Sequence, residues 1–151
     1  MKKIYVASSW RNDIQPNVVK YLREQGFDVY DFKNPAEGNQ GFLWSEIDAD
    51  WKRWNASQFI EALEHPIAKD GFQSDMLALA TCDVCVLVLP CGRSAHLEAG
   101  YAAGCMLKRL LIYIPEEAGQ QEPELMYKMA DGIFMRLEDV AAEIEKVPEK
   151  R

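Results

Sequence analysis

The chain has 151 residues, of which 48% are hydrophobic and 27% are charged, so it is long enough for one folded domain with a sizeable core. The formal net charge is -7 and the sequence pI is about 4.9, which argues against a broad surface for nucleic-acid polymers or anionic membranes. No apolar run approaches the roughly 20 residues of a membrane span, and the N-terminal stretch lacks the apolar core of a signal peptide, so a cytoplasmic location is expected.

The first 32 residues predict a strand, a helix and a second strand. The strand Lys3–Ala7 is followed by a polar turn over residues 8–13. A helix then begins near Pro16 and ends at Gly26, and Phe27–Phe32 forms the next strand. This order favours a right-handed crossover and a parallel sheet. The turn lacks G-x-G-x-x-G, so the dinucleotide-binding fingerprint is absent.

A tryptophan-rich stretch comes next. Four large apolar residues recur at helical spacing and predict one face of a helix: Trp44, Ile47, Trp51 and Trp54. A packing or subunit-contact stripe is the favoured interpretation. The alternative is that one tryptophan closes over a flat aromatic ligand.

Two further helical segments precede the middle of the chain. Gln58–Leu63 is predicted to be helical, and His65-Pro66 ends it. Ile67–Ala80 predicts another helix, which carries Asp75. Because a lone aspartate on a helix is usually solvated, spacing alone assigns Asp75 no catalytic role.

The stretch from Asp83 to Gly104 is the centre of the predicted fold. Its apolar run from Val84 to Leu89 is typical of a central parallel strand with both faces covered, and Pro90 ends that strand. Ser94 is an N-cap candidate for a helix over residues 95–103. Glu98 lies one residue too late for a capping box with Ser94. Its small and apolar helical neighbours would desolvate its carboxylate, so a functional Glu98 is favoured over a structural one.

Four cysteines raise the question of a metal or redox site: Cys82, Cys85, Cys91 and Cys105. Cys82 and Cys85 form a C-x-x-C pair, but Cys85 lies within the apolar run and no second ligand pair has zinc spacing. Buried thiols are therefore predicted, with neither metal nor cofactor. Cys91 remains open as a nucleophile, although the sequence places neither His65 nor His96 as an evident base.

The last third of the chain continues the alternation. It predicts strands at Arg109–Ile114 and Gly132–Met135 and helices at Leu125–Ala130 and Leu137–Lys146. The whole pattern predicts an α/β fold with three layers: a doubly wound, flavodoxin/Rossmann-like parallel sheet of five strands in the order 2-1-3-4-5. One domain over residues 1–147 and a charged tail over 148–151 are expected.

In that order the first and third strands are neighbours at the switch point, so the loops that leave them converge. The candidate binding residues on these loops are Ser8, Ser9, Trp10, Arg11, Gly92, Arg93 and Ser94. Serines, arginines and a helix N-terminus suit a phosphate or sugar hydroxyls, and the Glu98 carboxylate suits chemistry on a sugar.

Four segments carry a resemblance to a known family: KKIYVASSW, FQSDMLALATCDV, GRSAHLEAGYAAG and KRLLIYIPEE. Together they resemble the nucleoside 2-deoxyribosyltransferase-like superfamily, which includes the deoxynucleoside 5'-monophosphate N-glycosidases. The resemblance implies that Glu98 is the nucleophile at C1' of the sugar, Asp75 the acid/base near the nucleobase, and Tyr5 a hydroxyl partner that orients Glu98. It also implies a homo-oligomer whose site borrows a segment from a neighbour, for which Leu125–Asp131 is the candidate.

One departure from the family pattern bears on the reaction. Transferases of this family usually carry an aspartate in D-x-G-x-x-x-E, and the matching position here is Gly92. The loop residues Arg11 and Arg93 and the serines resemble instead the pattern of the phosphate-recognising glycosidases. Hydrolysis of a nucleotide is therefore favoured over base exchange. A non-catalytic nucleotide-binding or regulatory module on the same fold stays open, as does a structural oligomer that uses the tryptophan stripe.

Overall fold

A computed structural model describes residues 1–149, and these divide into two compact units. One unit contains Met1–Asp31 together with the chain from Thr81 onward, and the other contains Phe32–Ala80. The predicted charged tail, residues 148–151, lies partly outside the described residues, and the single domain over 1–147 stays a prediction. No helix within residues 1–149 is both long and apolar enough to cross a membrane.

The first unit is built on a five-stranded parallel sheet in the order β2-β1-β3-β4-β5, which confirms the predicted topology. The strands are β1 Lys3–Ala7, β2 Asp28–Asp31, β3 Val84–Val88, β4 Arg109–Tyr113 and β5 Gly132–Phe134. All five residues of β3 are buried, as expected for a central strand with both faces covered.

The helices are α1 Gln15–Glu24, α2 Ala56–Ala62, α3 Pro66–Thr81, α4 Arg93–Gly104 and α5 Leu137–Glu145. The short helix predicted at Leu125–Ala130 is a 3-10 helix over Leu125–Met129. Gly26, with φ of 90°, follows α1 in the left-handed conformation that favours glycine, as the sequence predicts.

Right-handed crossovers place α1 and α4 on opposite faces of the sheet, because the strand order reverses between β1 and β3. Alternate strand residues, among them Val6 and Val86, pack with α1 and α5 in one core cluster. The intervening residues Tyr5 and Cys85 point to the other face, where α4 packs against β1, β3 and β4. Glu98 therefore belongs to the same side of the sheet as Tyr5.

In the second unit, the prediction of a helix with a face of Trp44, Ile47, Trp51 and Trp54 is wrong. Trp44–Glu46 and Trp51–Arg53 form two separate 3-10 turns. Asp48 interrupts the helix, because its carboxylate accepts the backbone N–H of Asp50 at 2.8 Å and the indole N–H of Trp54 at 2.7 Å. These two hydrogen bonds hold the pKa of Asp48 below its ordinary value.

The aromatic side chains of this unit pack on one another. The Trp44 ring lies 4.8 Å from Phe42, 5.7 Å from Trp54 and 5.7 Å from Phe59, measured between ring centroids. Trp44 and Trp54 thus belong to one cluster of packed aromatic rings, in line with the packing interpretation.

Candidate functional site

Two loops meet at the carboxyl ends of β1 and β3. The backbone N–H of Gly92 donates to Ser9 Oγ at 2.6 Å, and Ser8 Oγ donates to the carbonyl of Val88 at 2.9 Å. Asn12 Nδ2 donates to the Pro90 carbonyl at 3.0 Å. The predicted convergence of the two loops is therefore present, and side chains of the first loop hold the second in place.

Asn12 is a part of this junction that sequence reasoning missed. It is buried, and its Oδ1 accepts the backbone N–H groups of Ile14 at 2.8 Å and Gln15 at 3.0 Å, so it also caps the start of α1. The signal in the sequence was an asparagine four residues before Pro16. Gln15 continues the network by donating to the buried Asp31 carboxylate at 2.9 Å.

Helix α4 begins two residues earlier than predicted. Gly92, not Ser94, is its N-cap, and no side chain caps the helix. The Ser9 hydrogen bond holds the Gly92 N–H while its backbone is extended, so helical geometry starts at Arg93. The first N–H groups of α4 therefore remain available to an anion.

Two arginines flank this helix start. Arg11 lies on the loop after β1 and Arg93 at the first position of α4, and both side chains are exposed. Neither makes an ion pair with another residue in the described range 1–149. Two positive charges and an uncapped helix N-terminus suit a phosphate group. The remaining predicted binding residues are also exposed, Trp10 on the loop after β1 and Ser94 in the first turn of α4.

Glu98 lies in the second turn of α4, where its side chain is half-buried and its Oε2 atom is shielded from solvent. The pKa values of two neighbouring cysteine thiols respond to its charge. Burial and the negative charge of Glu98 raise the pKa of the Cys91 thiol to about 12. Burial, the neighbouring Cys82 thiol and then Glu98 also raise the pKa of Cys85. The carboxylate therefore lies within electrostatic range of both thiols, on the helix that follows the carboxyl end of β3.

Tyr5 is buried in the middle of β1, directly beside Cys85 of β3. Its ring stacks on that of Tyr30 in β2, with 5.4 Å between centroids and 15° between planes. Tyr5 lies on the side of the sheet against which α4, the helix of Glu98, packs. Its predicted role as the partner that orients Glu98 stays a prediction.

Cys91 has a histidine neighbour that the sequence did not reveal, with 3.8 Å between Sγ and His96 Nδ1. However, Nδ1 lies 2.7 Å from the Gly92 carbonyl, which can only accept, so Nδ1 must carry a proton. That nitrogen cannot remove the thiol proton, and the raised pKa of Cys91 keeps the thiol neutral. Both observations argue against Cys91 as a nucleophile. Cys82 and Cys85 are buried, as predicted.

His96 also contacts Tyr127 in the 3-10 helix Leu125–Met129. Its Nε2 atom lies 2.8 Å from the Tyr127 hydroxyl, and the two rings stack with 5.8 Å between centroids. Burial is the main cause that raises the pKa of Tyr127, followed by the nearby Cys91 thiol. The segment predicted to contribute to a site therefore contacts the start of α4 within one chain.

Asp75 lies half-buried in α3, within the unit Phe32–Ala80. Its acid/base role stays a prediction.

The fold can be compared with known proteins. No protein-family model matches the sequence, and no curated protein matches it. Among solved structures, a conserved protein of Enterococcus faecalis V583 is similar with a TM-score of 0.60 and 16% identity, over 97% of this chain and 98% of that chain. A 2-deoxyribosyltransferase of the psychrotolerant bacterium Bacillus psychrosaccharolyticus is similar with a TM-score of 0.56 and 18% identity, over 94% and 95%.

A CMP N-glycosidase of Clostridium botulinum also matches, with a TM-score of 0.48 and 14% identity over 95% of this chain and 98% of that chain, a likeness too loose to support an inference. The first two likenesses show that this chain has the α/β fold expected from the family resemblance. At these identities they establish the fold alone.

Proposed function

We propose that the chain cleaves or transfers the N-glycosidic bond of a nucleoside or nucleoside 5'-monophosphate by a retaining mechanism with Glu98 as the nucleophile. The observation that carries the proposal is the half-buried Glu98 in the second turn of α4, the helix that starts where two joined loops carry exposed arginines. The fold shared with a 2-deoxyribosyltransferase structure is consistent with this chemistry.

The reaction proceeds in two displacements. The Glu98 carboxylate attacks C1' of the sugar and forms an ester, while the C1'–N bond breaks and its electron pair leaves with the base. The departing base takes a proton from a general acid, for which the family resemblance nominates Asp75. Water then attacks C1', the ester bond breaks, and the water proton returns to the same residue. A second free base in place of water gives transfer.

Recognition of the 5'-phosphate is assigned to the two-loop junction. Arg11 and Arg93 supply positive charge, and the uncapped start of α4 supplies backbone N–H donors. A phosphate that binds there anchors the nucleotide within reach of α4. Ser8 and Ser9 contribute by fixing the loops, since their hydroxyls already bond backbone groups of the β3 loop.

The alternative, a non-catalytic nucleotide-binding module, would gain support from Glu98 locked to Arg11 or Arg93. Neither arginine makes an ion pair within residues 1–149, so no observation favours that alternative. Assembly into a homo-oligomer is part of the proposal. The exposed apolar side chains Leu97, Met106, Leu107 and Leu125 of the first unit are consistent with it.

The decisive experiment is product analysis. Purified protein is incubated with ribo- and deoxyribonucleosides and their 5'-monophosphates, with and without a second free base, and released bases are separated and quantified. Wild type is expected to release base, E98A to release none, and the matched surface variant E24Q to behave as wild type. Base release that persists in E98A would contradict the role of Glu98. No release from any substrate would contradict the proposed function.

A further inference from the structure

Two hydrogen bonds of His96 link the start of α4 to the segment Leu125–Met129. One joins the ring to the Gly92 carbonyl at 2.7 Å, and the other joins it to the Tyr127 hydroxyl at 2.8 Å. Gly92 belongs to the loop junction of the proposed active site, and Tyr127 is 31 residues beyond His96 along the chain. His96 thus fixes where the Tyr127 hydroxyl lies relative to that loop.

The chemistry of the two partners defines the tautomer of His96. The carbonyl of Gly92 can only accept, so Nδ1 carries the hydrogen. In the neutral ring, Nε2 is then an acceptor, and the Tyr127 hydroxyl must donate to it. The Tyr127 hydrogen is therefore engaged, and the oxygen offers only lone pairs to any other group.

Tyr127 lies at the edge of the candidate site. Cys91 precedes Gly92 on the loop after β3, and its sulfur lies 3.8 Å from His96 Nδ1, while Nε2 of the same ring lies 2.8 Å from the Tyr127 hydroxyl. Cys91 and Tyr127 therefore both lie beside His96, next to the loop that leaves the carboxyl end of β3. Tyr127 is half-buried there, with its ring stacked on His96.

We propose that His96 is a positioning residue that presents the Tyr127 oxygen as a hydrogen-bond acceptor to the substrate. This inference rests on the proposed function and adds a specificity element to it. The substrate group that faces Tyr127 is a donor, a sugar hydroxyl or a base N–H. It is not a phosphate or carbonyl oxygen, since the only proton of Tyr127 is held by His96.

The two positions can be tested separately. Y127F keeps the stacked ring and removes only the oxygen. The asparagine of H96N keeps a donor at the position of Nδ1 but is too short to reach Tyr127. The glutamine of H96Q places its amide near the position of Nε2 and can bond the Tyr127 hydroxyl. Y21F, which removes a hydroxyl on α1, is the matched control.

Binding of the four 2'-deoxynucleoside 5'-monophosphates is measured by calorimetry, and base release gives KM and kcat. For the best ligand, Y127F and H96N are expected to raise Kd and KM about threefold to tenfold, the effect of one lost hydrogen bond, with kcat within about twofold. H96Q is expected to restore part of the loss, and Y21F to match wild type. The double variant H96N/Y127F is expected to have a Kd and KM no higher than those of either single variant, since both substitutions remove the same contact.

A readout independent of turnover is the ¹⁵N NMR signature of His96 in the ligand-free protein, where the Nδ1–H tautomer is expected. An Nε2–H tautomer, or Y127F and H96N variants that bind all four monophosphates as wild type does, would overturn the proposal. Wild-type protein that binds none of the four would overturn it together with phosphate recognition. Binding without base release would count against the proposed function alone, and the effects of Y127F and H96N on Kd would still decide the role of Tyr127.

Discussion

Ser9 and Gly92, 83 residues apart in the chain, are joined by a hydrogen bond of 2.6 Å from the Gly92 backbone N–H to the Ser9 hydroxyl oxygen. This bond links the loop that carries Arg11 to the helix start that carries Arg93. It holds together the two backbone segments that carry these exposed arginines, and so connects the geometry of the sheet to the proposed recognition of phosphate.

The substitution S9A tests this link. Loss of one hydrogen bond is expected to lower the free energy of unfolding by about 0.5–1.5 kcal/mol and to raise KM for 5'-monophosphates more than KM for nucleosides. Denaturant unfolding and steady-state kinetics check both effects. S57A, which changes an exposed serine on α2, is expected to alter stability by less than about 0.5 kcal/mol. Equal changes in KM for the two substrate classes would contradict the phosphate assignment.

Substitution of Gly92 tests the charge of the site. A Cβ atom at Gly92 would meet only Ser9 Oγ, at 3.5 Å, which is an ordinary contact, so G92D and G92N are both expected to fold. The carboxylate of G92D would repel a phosphate at the start of α4. KM for 5'-monophosphates should therefore rise roughly tenfold or more while KM for nucleosides changes little.

G92N is the neutral control of the same size, and kinetics with paired nucleoside and nucleotide substrates separate the two variants. If G92D and G92N raise KM for monophosphates equally, shape and not charge is responsible, and the phosphate site must lie elsewhere.

Cys91 reports on the charge of Glu98 without any substrate. Its thiol has a pKa of about 12, raised first by burial and then by Glu98, so little thiolate exists at neutral pH. E98Q removes the negative charge, which lowers the pKa and increases the thiolate fraction at any pH below it. Alkylation of Cys91 by iodoacetamide, followed by mass spectrometry from pH 7 to 10, is expected to be faster in E98Q than in wild type.

The rate at Cys105, on the loop after α4, serves as the internal control within each sample. An unchanged alkylation rate at Cys91 in E98Q would mean that the carboxylate is not close to the thiol. The position inferred for Glu98, beside the loop after β3, would then be wrong.

Asn12 is expected to be the most sensitive of the loop residues in stability. N12A removes the cap of α1 and leaves the Pro90 carbonyl without its side-chain donor. A loss of about 2–3 kcal/mol in the free energy of unfolding follows from these two effects together. N12S retains an acceptor for the helix start and should lose less. If thermal and denaturant unfolding show that N12A and N12S lower the free energy of unfolding equally, capping is not the main role of Asn12.

The sequence predicted the sheet well because its strands are short segments rich in β-branched and aromatic residues, separated by helices and turns. The burial of β3 on both faces followed from an unbroken run, and the meeting of the β1 and β3 loops followed from the strand order. The long tryptophan helix was wrong because spacing does not show that Asp48 bonds the Asp50 backbone and the Trp54 indole.

The site was predicted less completely, for a physical reason. The residues that hold it together act through contacts between segments distant in the chain. Asn12 reaches Pro90 and His96 reaches Tyr127, and no local pattern marks either pair. The start of α4 at Arg93 likewise depends on a serine from another loop, so Ser94 appeared to be the better N-cap.

The neighbours β1 and β3 are adjacent in space but separated by the whole of β2 and the unit Phe32–Ala80 along the chain. Their pairing has to close a very long loop, and its entropic cost changes by only about 0.6 kcal/mol for each doubling of loop length. Such distant pairings slow folding far more than they weaken the folded state. The carboxyl end of the sheet is therefore expected to assemble late in folding, and variants at the Ser9–Gly92 junction should accelerate unfolding while leaving the folding rate nearly unchanged.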